Sequence, residues 1–189
     1  MTFTVFGYGS LVNRRTLPAH LAARPAMLAG WRRAWRASSM AAAGGVCAVS
    51  IVPAGDGVIE GLLVTFDGDM RGTIDAREHN YEALPAEGLG GAIVYRARPE
   101  VDRWGDAAHP VHLSYVDAIV QGFLVEFGER GVDRFMATTD GWHVPILDDR
   151  AAPRYPRAQH LTADEAARVD DALRGVDARI LPVDAAPSC

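Results

Sequence analysis

Thr4-Val5-Phe6-Gly7-Tyr8-Gly9-Ser10-Leu11 runs an apolar strand straight into a glycine-spaced turn, and the rest of the chain is arranged around it. Two glycines flanking a tyrosine, then a small hydroxyl residue, let a backbone bend where side chains would block it and present N–H groups to a ligand. The same residues also suit a tight strand-to-helix turn with Ser10 as the helix N-cap. Nucleotide motifs are absent. Val12 stands where the dinucleotide fingerprint has its third glycine, and no phosphate-loop lysine follows. Nor is this a nucleophile elbow, because Ser10 is followed by Leu11-Val12 rather than by a spaced glycine.

Outward from that turn, 189 residues at 49% hydrophobic composition are enough for the core of one domain spanning 1–189. The chain lacks an apolar run long enough to span a bilayer, and Met1-Thr2-Phe3-Thr4 lacks the basic start of a signal peptide. A cytoplasmic protein without membrane association is therefore expected. Cys47 lies in an apolar run and Cys189 is the last residue, so neither a disulfide framework nor a paired-cysteine metal site can be drawn. All 19 basic residues are arginine, which excludes Schiff-base, catalytic-lysine and phosphate-loop chemistry. The net charge of −5 argues against nucleic acid as a partner. Arg32, Arg33 and Arg36 do interleave with Trp31 and Trp35, but strand alternation splits those arginines between two faces.

Apolar patterning predicts strands at residues 2–7, 26–35, 46–52, 58–66 and 92–96, with a short irregular or helical return over 10–17. Pro53-Ala54-Gly55-Asp56-Gly57 reads as the turn of a hairpin joining 46–52 to 58–66. A helix is expected over 70–84. Val116, Ile119, Val120, Phe123, Leu124 and Phe127 recur at helical spacing and end at Gly128, with a second helix over 131–138. Residues 139–160, rich in proline and aromatic side chains, read as an ordered loop over the core, in which Asp140-Gly141-Trp142-His143 suits either a ligand loop or, the favoured reading, a turn whose tryptophan anchors the segment. Thr162-Ala163-Asp164-Glu165 is a capping box opening a last helix to about residue 174, and a short strand over 178–183 can rejoin the sheet. Strands first and helices later argue α+β.

Ile74-Asp75-Ala76-Arg77-Glu78-His79-Asn80-Tyr81 is the richest stretch for chemistry. On a helix, Asp75, Glu78 and Glu82 share one face, and Arg77 and Tyr81 another. A carboxylate there, partly buried under an aromatic loop, would have its pKa raised toward the range useful for general acid–base work. A solvated face with ordinary ion pairs is the competing reading. His109 and His112 make a poor metal pair, because Pro110 interrupts the helix such a pair needs.

Taken together, Phe6-Gly7-Tyr8-Gly9-Ser10-Leu11, Gly30-Trp31-Arg32, Asp75-Ala76-Arg77-Glu78 and Tyr115-Val116-Asp117-Ala118-Ile119-Val120-Gln121-Gly122 resemble, in order and spacing, the gamma-glutamylcyclotransferase superfamily, closest to its bacterial and ChaC-like branches. The resemblance covers residues 4 to about 125. It implies a small mixed β-barrel flanked by helices, and no metal or organic cofactor. The implied reaction releases 5-oxoproline and an amine from a small γ-glutamyl compound such as glutathione. Glu78 matches the catalytic acid/base, and Tyr8, Gly9, Ser10 and Leu11 match the loop holding the γ-glutamyl group, with Tyr115 among the substrate-binding residues. The family commonly has glycine soon after the glutamate, where this chain has His79-Asn80-Tyr81. Asn is the non-glycine residue most tolerant of a left-handed backbone there. A γ-glutamylamine cyclotransferase and a non-catalytic ligand-binding protein of the same fold are the alternatives.

Overall fold

A computed structural model describes residues 1–42 and 44–183; Ala43 and Cys189 lie outside the described residues. Strand β1 (Thr2–Gly7) sits inside a six-stranded mixed sheet whose order runs from edge strand β4 (Tyr81–Pro85) through β5 (Ile93–Ala97), β1, β3 (Gly44–Asp67) and β2 (Ala22–Ala41) to edge strand β7 (Thr139–Asp140). It runs antiparallel to β3 (Gly44–Asp67) and parallel to β5 (Ile93–Ala97). A second sheet, three short parallel strands, joins β6 (Val111–His112), β8 (Ile146–Leu147) and β9 (Ile180–Leu181). The class is α+β, as the order of elements predicts.

Two expected elements are redrawn. Residues 46–52 and 58–66 do not form a hairpin with each other; both belong to β3, and both pair with β2 (Ala22–Ala41). The true reversal lies between Ala41 and Gly44, the latter at φ 105°. Pro53–Gly57 is taken up instead as an excursion of β3. Pairing passes from Ala29 opposite Val58 to Trp31 opposite Pro53, so that Gly30 alone, at φ 85°, faces residues 54–57. Turn-forming residues were absorbed in a bulge because the long partner strand continues on both sides. The last strand, β9, also goes elsewhere: it pairs with β8 in the second sheet and not with the large one.

Beyond the bulge the first half of β3 folds back over the sheet. Ala97 N–H of β5 donates to Ser50 Oγ (2.9 Å), and the Tyr81 hydroxyl of edge strand β4 donates to the Val49 carbonyl (2.9 Å). These contacts curl the sheet toward the barrel shape that the resemblance implies. Helix α2 (Leu113–Ala137) breaks at Gly128 (φ 67°), so the two expected helices are its two halves. Its first half is buried on every side, lying against β3, the Ser10–Val12 turn and α3 (Ala163–Gly175). Val116, Ile119 and Phe123 are sealed there, each contributing roughly 1.5–3 kcal/mol of burial. The polar residues on this helix are matched in turn: Asn13 Nδ2 donates to the Ala118 carbonyl (2.8 Å) and to Gln121 Oε1 (2.9 Å). Both capping-box hydrogen bonds form between Thr162 and Glu165 at the start of α3. None of the described helices is long and apolar enough to cross a membrane.

Adjacent arginines on β2 meet opposite environments, as strand alternation requires. Arg32 pairs at the surface with Asp140 (2.7 Å). Arg33 is fully buried: its Nε donates to the Tyr8 carbonyl (2.8 Å), one terminal nitrogen to Thr138 Oγ1 (2.7 Å), and the other to the Glu60 carbonyl. Its guanidinium carbon lies 4.9 Å from the centroid of Phe123 and 5.2 Å from that of Phe135. Removing it strands buried carbonyls, whereas removing Arg32 frees an exposed carboxylate. Chemical denaturation should therefore show Arg33→Met costing about 3–5 kcal/mol and Arg32→Met under about 1 kcal/mol. Equal losses would contradict the assigned roles.

Candidate active site

The glycines of the opening turn serve proximity more than unusual dihedral angles, since neither Gly7 nor Gly9 has positive φ. A Cβ on Gly7 would lie 2.4 Å from Leu11 Cβ, because the chain folds back on itself at once. One on Gly9 would lie 2.7 Å from Val49 Cγ1 and 3.3 Å from the Tyr115 hydroxyl. Gly9, and not Ser10, occupies the cap position of the 3-10 turn Ser10–Val12. Ser10 and Leu11 open that turn, and the first N–H groups of a helical turn have no acceptor within it. Ser10 Oγ is thereby free of capping and accepts from Arg77 (3.1 Å).

Helix α1 (Arg71–Arg77) is far shorter than the expected 70–84. Glu78 closes it, donating its N–H to the Ile74 carbonyl (2.9 Å), and Tyr81 N–H returns to the Glu78 carbonyl (2.8 Å). His79 and Asn80 are poor helix formers, and Tyr81 already belongs to β4, where its ring packs and its hydroxyl bonds across the sheet. Asn80 needs no left-handed backbone, since Asp177 is the only non-glycine at positive φ among the described residues. The proposed common face of Asp75, Glu78 and Glu82 is thereby dissolved. Asp75 bonds to Arg71 and to the Tyr95 hydroxyl (2.6 Å), which holds its carboxyl below the ordinary carboxylate range. Glu82 pairs with Arg96 on the β4–β5 ladder. Of the three carboxylates, Glu78 lines both a small recess and a larger cleft, and Asp75 and Glu82 line neither.

Glu78 lines a small recess with Tyr8, Gly9, Ser10, Leu11 and Tyr115, so the six residues singled out from sequence share one wall-to-wall site. The recess measures about 30 Å³ and meets, at Ser10, Glu78, Tyr81 and Tyr115, an outer cleft of about 550 Å³. Burial is the main influence on the Glu78 carboxyl and raises its pKa, against the opposing pull of Arg77, Arg157 and His79. Burial likewise pushes up the phenols of Tyr8, Tyr81 and Tyr115, which stay neutral near pH 7. The Tyr8 hydroxyl is committed to the Tyr95 carbonyl (2.7 Å).

Arg77 and Tyr81 were missed as site residues. The sequence pattern put Arg77 on the face away from Glu78, yet its Nε lies 3.1 Å from Glu78 Oε1 while its terminal nitrogens bond Ser10 Oγ and the Thr16 carbonyl (2.8 Å). One guanidinium thus joins the glycine turn to the carboxylate. The aromatic segment 139–160 is held by Trp142, whose indole N–H donates to the Met136 carbonyl (3.1 Å) and whose ring meets Trp35 at 5.4 Å. Farther along, Tyr155 packs on Tyr115 (4.9 Å), and residues 154–157 line the outer cleft. Among the described residues, no group of three His, Cys, Asp or Glu side chains gathers to hold a metal ion. A raised carboxylate beside backbone amides and neutral phenols is equipped to bind a polar head group and move protons. Ser10 Oγ accepts its hydrogen bond from the Arg77 guanidinium, a cation that cannot take the hydroxyl proton.

No family model and no curated protein sequence matches the chain. Solved structures do. One described as a gamma-glutamyl cyclotransferase is 13% identical at a TM-score of 0.55, over 90% of this chain and 99% of that one. The uncharacterized protein loc79017 from Homo sapiens is 13% identical at a TM-score of 0.56, over 89% and 98%. YkqA from Bacillus subtilis is 16% identical at 0.51, over 74% of this chain and 56% of its own. At such identities the likeness is one of architecture, and the chain has the gamma-glutamylcyclotransferase-like fold.

Proposed function

We propose that the chain is a gamma-glutamylcyclotransferase that converts a γ-glutamyl compound, glutathione or a similar peptide, to 5-oxoproline and a free amine. The observation that carries this reading is the joining of Glu78 to the Tyr8–Leu11 turn in one recess through Arg77. In the reaction the substrate's own α-amine attacks its γ-carbonyl carbon. A C–N bond forms, a five-membered ring closes, and the original amide C–N bond breaks. Two protons move in all from the attacking to the departing nitrogen. Glu78 carries the one transferred as the amide breaks, and solvent exchanges the other.

Because the nucleophile belongs to the substrate, the protein's share is conformation and proton transfer. Well-oriented intramolecular attack is worth up to roughly 7–11 kcal/mol, and a positioned acid/base adds about 10²- to 10⁴-fold. Ser10 and Leu11 amides are suited to the substrate carboxylate or to the oxyanion that develops on the γ-oxygen. Tyr8, Gly9 and Tyr115 shape the recess around the head group. Arg77 serves as a positioning residue. The fold's likeness to a structure described as a gamma-glutamyl cyclotransferase supports the reading.

A panel of γ-glutamyl peptides and γ-glutamyl amines, scored for 5-oxoproline, tests it: at least one should be turned over. Absence of product from every member would favour a binding protein of the same fold. A carboxylate whose pKa is raised in the folded state must be ionised to act as base, so kcat/KM should fall on the acid side with a midpoint above 4.5, the ordinary value for glutamate. A midpoint at or below that value would contradict Glu78 as the base. The same shift sets the sign of a stability effect. The folded state holds the proton more tightly, so the stability that Glu78 contributes is complete below its unfolded pKa and is lost as pH rises through the raised one. Glu78→Gln should therefore be more stable than the parent at pH 7, with the difference shrinking below pH 4.5. Thermal unfolding at the two pH values reads this directly, and a destabilised variant at pH 7 would oppose it.

A further inference from the structure

The proposed chemistry leaves unused a carboxylate that is sealed in the core. Asp149 is fully buried, and the arginine that follows it, Arg150, turns away to Asp117 (2.7 Å) and Asp170 (2.7 Å). Three donors hold it instead. Asp149 Oδ1 accepts from the Ser114 N–H (2.8 Å), and Oδ2 accepts from the Ser114 hydroxyl (2.6 Å) and the Arg154 N–H (2.7 Å). A carboxylate buried in this way is tolerated only while such donors stay in place. The start of α2 adds to the hold. His112, at its N-cap, makes no side-chain capping bond, so Asp149 caps the helix from 35 positions away, where unshared N–H groups and the helix dipole favour an anion.

Both segments that meet at this carboxylate carry a ring of the site. Ser114 precedes Tyr115, which lines the recess, and Arg154 precedes Tyr155, which lines the outer cleft. The two rings lie 4.9 Å apart with 55° between their planes, and Trp35 meets Tyr115 edge-on at 6.1 Å. A second bond closes the seat. The Tyr155 N–H donates to Ser114 Oγ (3.3 Å), the same hydroxyl that donates to Asp149. Pro153 and Pro156 have no N–H, so Arg154 and Tyr155 hold the only backbone donors of residues 153–156, and both end at this knot. Pro156 further restricts the backbone of Tyr155 to extended conformations.

We infer that Asp149 is a positioning residue for the inner recess: through Ser114 and the backbone of Arg154 and Tyr155 it seats the Tyr155 ring on Tyr115 and so fixes one wall of the recess. The inference rests on the γ-glutamyl reading for what that wall holds. A wall holds substrate and transition state alike, so loosening the seat raises KM and leaves kcat nearly unchanged. Asp149 and Ser114 line neither cavity, and their influence reaches the substrate only through the two rings.

The test is a double-mutant cycle of Ser114→Ala and Tyr155→Leu, with Asp149→Asn as a harsher probe of the same knot. Ser114→Ala removes one hydroxyl and leaves Asp149 its two backbone donors, so the fold is spared. It should speed amide exchange at Arg154 and Tyr155 and raise KM for a γ-glutamyl peptide about fivefold, with kcat within about twofold. In the Tyr155→Leu background the same substitution should change KM by less than about twofold, because the ring through which it acts is gone. The cycle is also read without substrate, from the fluorine resonance of Tyr115 in fluorotyrosine-labelled protein: Ser114→Ala should move it in the parent and not in the Tyr155→Leu background. Movement of that resonance without any 5-oxoproline would sink the proposed activity and leave the positioning role standing. Unchanged exchange, an unmoved resonance, or a KM effect equal in both backgrounds overturns the positioning role even if product forms.

Discussion

A guanidinium sealed in the core and hydrogen-bonded to no carboxylate is the constraint on which the site depends. Arg33 has given up water for the carbonyls of Tyr8 and Glu60, the Thr138 hydroxyl and the faces of two phenylalanines. Burial lowers its pKa to about 9, which still leaves it a cation at neutral pH. Isolating a charge in this way is expensive, and the cost is met only while every donor keeps its acceptor. The Glu60 carboxylate is meanwhile turned outward to Arg134 (2.8 Å). Since one acceptor is the Tyr8 carbonyl, the turn that follows cannot drift without unpairing that charge. The amides of Ser10 and Leu11 are therefore held in place by a residue that lines neither cavity.

From that anchor the site is assembled by three chain segments of different kinds. The turn after β1 supplies backbone amides, the short α1 ends where Glu78 is needed, and the aromatic segment after α2 lays Tyr155 and two arginines over the opening. Arg77 ties the first two together and Trp142 pins the third. Burial gives Glu78 a raised pKa, which the proposed proton transfer calls for, at the expense of stability whenever it ionises. The phenols around it, raised by the same desolvation, remain neutral and leave the carboxylate as the group that titrates.

Much of this was legible in the residues because it is local. The apolar run of β1, the helical spacing of α2 to Gly128 and the Thr162–Glu165 capping box each depend on neighbours a few positions away, and each forms as its pattern reads. Pro53–Gly57 misled because turn chemistry describes what a segment tolerates, and here a partner strand of 20 residues decides its fate. The extent of α1 misled for a related reason: Tyr81, acceptable to a helix, gains a cross-sheet hydrogen bond and a strand partner in Ala97. The six residues that line the recess were singled out through their likeness to a family motif. Arg77 and Arg33 were not, because what distinguishes them is a partner across the fold; Arg33 and Tyr8 are 25 positions apart.

Release of 5-oxoproline by Glu78→Gln, set beside calorimetric binding of the same γ-glutamyl peptide and a Glu82→Gln control, tests the central claim most directly. Glu82 lies on the β4–β5 ladder with Arg96 and outside both cavities, so its variant should retain activity within a few-fold. Loss of the proton carrier should lower kcat of Glu78→Gln by at least about 10²-fold while binding persists. Turnover in Glu78→Gln close to that of the parent would contradict the account.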